Sequence, residues 1–111
     1  MATMDLDRSN WHAYFDDLAR KTLGNQVSLE TTGMSVGSQR ETDWLSLSGI
    51  TYDPKSDVLE VITDRLDHLI NHPSAISIDY DARGLHNVAV TDADGNCQII
   101  HLKEPAPLPV H

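Results

Sequence analysis

The sequence predicts an α+β domain: an N-terminal helix packed on a bent, mostly antiparallel sheet of five to six strands that curls toward a small barrel, with one short helix between strands. Three observations carry that expectation. Trp11, Tyr14, Phe15 and Leu18 recur at helical spacing; residues 49–61 read GITYDPKSDVLEV, two alternating segments around a tight turn; and three further short β-type segments follow, separated by ARG and DADGN.

Each element has its own signal. Ser9 is placed to cap the first helix and Gly24 to stop it. Three of the six aromatic residues lie on that helical stripe, so the helix is expected to plug one face or one end of the sheet. Val27, Leu29 and Thr31 alternate as a first strand, and residues 33–40, with two glycines and two serines, read as a flexible loop or an irregular hairpin. In the central hairpin Pro54 fixes φ at the turn, and the Asp53 carboxylate is placed to accept backbone N–H groups across it. The strand after the turn carries Val58, Leu59, Val61 and Ile62, apolar on both faces, which suits the interior of a sheet. Asp64, with Asp67 three residues on, caps the predicted short helix, whose apolar side is Leu66, Leu69 and Ile70 and whose end is Pro73. Strands follow at 76–80, 86–91 and 97–102. Residues 1–104 form a single globular domain on this reading, and 105–111 an extended Pro-rich tail. The order of elements resembles Sm-like and SH3-like barrels, a likeness of fold that carries no function.

A chain of 111 residues, 40% hydrophobic and 23% charged, suits one soluble core. No segment approaches the roughly 20 apolar residues of a membrane span. The start MATMDLDRSN lacks the basic and apolar runs of a secretory signal, and Cys97 is the single cysteine, so a cytoplasmic protein without an internal disulfide is expected. The net charge of −9, with only eight scattered Lys and Arg, argues against nucleic acid as a partner. Nine acidic residues between Asp53 and Asp94, against Lys55, Arg65 and Arg83, give the middle of the chain a negative surface that suits a basic protein partner.

Four constellations are candidates for chemistry. His68 and His72 lie four apart on the predicted short helix, the spacing of a zinc or nickel pair, with Asp64, His86 or His101 as a third ligand; the rival reading makes His72 a helix-end residue beside Pro73. Asp92-Ala93-Asp94-Gly95-Asn96 resembles the start of a calcium loop but lacks its first carboxylate and closing glutamate, so a hairpin turn is expected. Cys97 could be activated by His86, whereas His101, on its own strand, is too distant. Trp11, Tyr14, Trp44 and Tyr52 could line a small-molecule pocket between helix and sheet.

The strings WHAYFDDLAR, DWLSLSGITYDPKSDVLEV, LDHLINHP and DADGNCQIIHLKEP together resemble a small bacterial family defined only as domain-of-unknown-function family 5335, over nearly the whole chain. The resemblance implies a stand-alone bacterial cytoplasmic domain with no established activity, cofactor or catalytic residues. With no complete catalytic set in the sequence, the functional expectation is a non-enzymatic protein-interaction or accessory module, acidic and self-associating, that uses exposed strand edges or the central hairpin, with no cofactor, nucleic acid or membrane. The alternative is a metal-binding protein or metal-dependent enzyme built on His68 and His72.

Overall fold

A computed structural model describes residues 2–33, 37–40 and 43–108. Its described elements are β1 (Ala2–Asp5), a 3-10 turn (Arg8–Asn10), α1 (Trp11–Thr22), β2 (Gln26–Gly33), β3 (Gly37–Arg40), β4 (Leu45–Asp53), β5 (Val58–Thr63), β6 (Asp67–Asn71), β7 (Ala75–Asp81), β8 (Gly84–Thr91) and β9 (Cys97–Ala106). The α+β class with an N-terminal helix and an antiparallel sheet is as expected. Eight strands run in the order β1-β7-β8-β9-β2-β4-β5-β6, and β3 pairs with β2 beside that path, so the expected five or six strands are too few.

The helix starts later than Ser9 predicts. Ser9 turns its hydroxyl to Asp7, a 3-10 turn leads in, and Asn10 holds the N-cap position without a side-chain bond. The stripe is as read: Trp11, Tyr14, Phe15 and Leu18 are buried, and Gly24 follows at φ 85°. α1 lies along β4, which pairs with β2 only at Leu45 and Ser46. Beyond that point the β4 edge facing away from β5 is served by α1 and the turn after it. The Gly24 N–H donates to Leu47 O, the Leu47 N–H to Asn25 O, and the His12 ring to Tyr52 O at 2.9 Å. The helix thus fills the split where β2 and β4 diverge.

Two expectations need correction. The predicted short helix at 64–72 is a turn and a strand, β6. Thr63 causes this, because its hydroxyl donates to Leu66 O and accepts from the Arg65 and Leu66 N–H groups, closing a tight reversal. Asp64 caps no helix and instead accepts the Ser46 N–H. The sheet is also open rather than barrel-like. Closure would require the two end strands, β6 and β1, to pair, and among the described residues β6 pairs only with β5 and β1 only with β7. β1 and β6 therefore stand at the two ends of the strand order.

The Gly33–Arg40 expectation resolves as a β2–β3 pairing, with 34–36 outside the described residues. β7, β8 and β9 match their expected positions, although β9 continues through Pro105 to a buried Ala106, so the first two residues of the expected tail belong to the sheet. Residues 107–108 follow without regular structure, and Pro109 onward lies outside the described residues.

Candidate functional site

β6 separates the two histidines of the expected metal pair. Residues four apart on a strand are displaced by about 13 Å. His68 points inward and meets the Gln98 side chain, whereas His72 lies past the strand end at φ 50° with Nδ1 3.3 Å from Asp57 Oδ2. The other named ligands lie in different places: Asp64 on the Ser46 N–H, His86 on Asp81 at 2.8 Å, and His101 between Asn87 at 2.8 Å and Glu30 at 2.7 Å. Among the described residues no group of three or more His, Cys, Asp or Glu is gathered to hold a metal ion. Cys97 lies beside Thr32, and burial holds its thiol above the usual range, the reverse of an activated nucleophile. In DADGN the Asp92 carboxylate accepts the Asp94 and Asn96 N–H groups at 2.9 and 3.0 Å and the Gln98 amide at 2.9 Å, so it closes the turn. Of the four aromatic residues named for a pocket, Trp11 and Tyr14 are buried in the core, whereas Tyr52 also lines a cleft beside the helix start. Trp11 meets Tyr52 edge-on at 5.2 Å, Tyr14 meets Phe15 at 5.5 Å, and Trp44 is partly buried at the start of β4.

Instead, the structure brings together the ends of the GITYDP and LDHLINHP strings. At the tip of the β4–β5 hairpin, Asp53 accepts the Lys55 N–H and the Ser56 hydroxyl, both at 2.9 Å, as the turn chemistry predicts. Asp57 closes the turn in the left-handed region at φ 55°, and its carbonyl accepts the N–H of His72, itself left-handed. The Tyr52 hydroxyl donates to Asp57 Oδ1 at 2.6 Å. Arg8 reaches the same oxygen at 3.3 Å and donates to Pro73 O at 2.8 Å, while its guanidinium lies 4.3 Å above the Trp11 ring. A cleft of about 420 Å³ opens there, lined by Arg8, Ser9, His12, Tyr52, Pro54 and Asp57.

The Tyr52 hydroxyl bond, with His72 and Arg8 behind it, outweighs burial and holds the Asp57 carboxyl below the usual range; burial and Asp57 push the Tyr52 phenol up. The result is an ionised acceptor saturated by donors, which ties the helix start to two strand connections. Arg8 was not found from sequence; its one signal is its position three residues before Trp11. Because the folded carboxyl has the lower pKa, its contribution is present above the unfolded value of about 3.9 and is lost as pH falls through the folded one. The Asp57→Asn variant, which keeps the left-handed tolerance, is expected to lose less melting temperature than the parent between pH 7 and pH 3. Equal losses in a thermal melt would contradict this assignment.

From this corner the outward face of β4, β5 and β6 extends in cross-strand rows. Asp53–Val58–Asn71, Thr51–Glu60–Leu69 and Gly49–Ile62–Asp67 each share a row, since directly opposed residues of antiparallel strands point the same way. The opposite face holds Tyr52–Leu59–Ile70 and Ile50–Val61–His68, in the core apart from partly buried His68. The outward residues are partly or fully exposed, and Leu69 is 53% exposed. Val58, Ile62 and Leu69 form an apolar centre among Asp53, Glu60 and Asp67, and none of the three strands carries a Lys or Arg. The acidity was legible in the sequence; its grouping on one face depends on register, which the sequence does not display.

No helix among the described residues is long and apolar enough to cross a membrane. A family model described as a family of unknown function, DUF5335, matches residues 2–111. An uncharacterized protein of Aquifex aeolicus (strain VF5) is 34% identical over 110 residues, spanning 98% of this chain and 99% of the relative. No solved structure matches. Because the match runs through all the segments that build the corner and the outward face, this chain belongs to the DUF5335 family of unknown function.

Proposed function

We propose that this protein is a non-enzymatic, cytoplasmic protein-interaction module, and that the outward face of β4, β5 and β6 contacts a basic protein partner. The observation that carries the reading is the composition of that face: an uncovered apolar centre of Val58, Ile62 and Leu69, ringed by carboxylates and without a cation on its strands. Apolar area supplies affinity while the ring of like charge selects the partner's sign and speeds encounter. The chain's net charge of −9 adds a long-range field of the same sign.

A lysine-rich peptide with leucine at every third or fourth position is a suitable probe. Its binding is expected to weaken as salt rises through the range where the Debye length shortens from about 30 to 10 Å. The Glu60→Lys, Asp67→Lys double variant is expected to weaken it about tenfold or more at low salt, measured by fluorescence anisotropy. Affinity indifferent to both salt and charge reversal would contradict the proposal.

A further inference from the structure

We infer that the free edge of β6 pairs antiparallel with β6 of a second copy of this chain, with Leu69 on the two-fold axis. Hydrogen bonding along an antiparallel pair alternates, so each residue turns its N–H and C=O either to its partner strand or away from it. Two bonds fix the phase here: the Thr63 N–H donates to Leu66 O, and the His72 N–H to Asp57 O. Leu66, His68, Ile70 and His72 therefore face β5. Asp67, Leu69 and Asn71 turn their backbone donors and acceptors outward, where β6 has no strand neighbour among the described residues.

Their side chains share the exposed outward face, and their order is self-complementary. In the two-fold register Leu69 meets the Leu69 of the other copy, and each Asp67 lies opposite an Asn71 amide that can donate to it. Each of the three opposed pairs exchanges two backbone bonds. No carboxylate lies directly opposite another, the arrangement that would penalise pairing. A two-fold, isologous contact of this kind closes on itself and leaves no new edge to propagate. It also joins two outward faces into one six-stranded surface, doubling the acidic field of the face proposed above.

The edge of β1, at the other end of the strand order, is a weaker template. The Leu6 N–H donates to Ile76 O, which fixes the phase of β1 so that only Thr3 and Asp5 turn outward, and neither supplies an apolar contact.

Because so short an edge buries less than the roughly 1,200 Å² of a stable interface, the dimer is expected to dissociate on the order of micromolar concentration or weaker. The net charge of −9 opposes it, so added salt is expected to tighten it, the opposite sign to binding of a basic peptide. Sedimentation equilibrium of the full chain tests the register. Asn71→Asp sets a carboxylate opposite Asp67 and is expected to weaken the dimer about tenfold, while Asn71→Lys offers that carboxylate a cation and tightens it. Leu69→Pro removes an N–H that no bond among the described residues uses and is expected to abolish the dimer, whereas Asn71→Asp, which adds a carboxylate to the face, is expected to weaken the dimer without weakening peptide binding. A monomer at every concentration up to millimolar, or a dimer insensitive to all three substitutions, overturns the inference. So does an edge that pairs with the lysine-rich probe but never with a second copy. Loss of peptide binding in an intact dimer would instead strike at the proposed face.

Discussion

Replacing Trp11 by alanine is expected to remove about 3–5 kcal/mol of unfolding free energy, a large part of the about 5–15 kcal/mol that a domain of this kind possesses. Trp11 is 1% exposed, stands edge-on to Tyr52 with the ring planes at 89°, and donates its indole N–H to Leu6 O at 3.2 Å. It also carries the Arg8 guanidinium on its face. Truncation would leave a cavity where α1 meets β4, orphan the Leu6 carbonyl, and remove the surface that positions Arg8 over Asp57. The cost should therefore exceed what area alone implies. Urea denaturation followed by far-UV circular dichroism measures it. A loss below about 1 kcal/mol would show that α1 is not what fills the split between β2 and β4. Combining Trp11→Ala with Arg8→Ala should give less than the sum of the single losses, because each removes the same stacked pair.

The second large effect is expected at Gly84, where β8 begins. Its φ of 126° lies in a region that side chains rarely adopt, and a Cβ there would sit 2.2 Å from the Ala106 carbonyl oxygen. Neither obstacle is a flexible side chain. Ala106 is fully buried and pairs with Leu85 after an irregular stretch of β9, so the clash pushes backbone against backbone. Gly84→Ala is expected to cost at least about 2 kcal/mol from backbone strain and the displaced strand end together. Gly95→Ala provides the control. It has positive φ but nothing within 4 Å, so its loss should be the smaller of the two. Amide hydrogen exchange should locate the Gly84→Ala effect at the end of β9, and unchanged protection there would contradict this account.

The elements that sequence reasoning found are those whose period is unambiguous. The stripe of Trp11, Tyr14, Phe15 and Leu18 can face only one way on a helix, and the turn from Asp53 to Asp57 names its own geometry through Pro54 and two aspartates. Leu66, Leu69 and Ile70 were misread because apolar residues at those spacings suit a helix side as well as a strand with Leu66 and Ile70 inward and Leu69 outward. The Thr63 hydroxyl decided between them, and a threonine gives no such signal by type alone. β1 was invisible because an exposed four-residue edge strand has no apolar alternation to show. The candidate face shares that history. Its carboxylates were countable in the sequence, but only the registers of β4, β5 and β6 place Glu60 beside Leu69 and Ile62 beside Asp67. The corner was least legible, since Arg8 and Asp57 are 49 residues apart and no pattern joins them.

Chemical-shift mapping of the uniformly ¹⁵N-labelled protein during titration with the lysine-rich amphipathic peptide locates the contact face residue by residue. Shifts are expected to concentrate at Gly49, Thr51, Val58, Glu60, Ile62, Asp67, Leu69 and Asn71 and to fade as salt is added. Shifts confined to the outward residues of β2, β8 and β9, such as Glu30, Asn87 and His101, or shifts that persist in high salt, would contradict it.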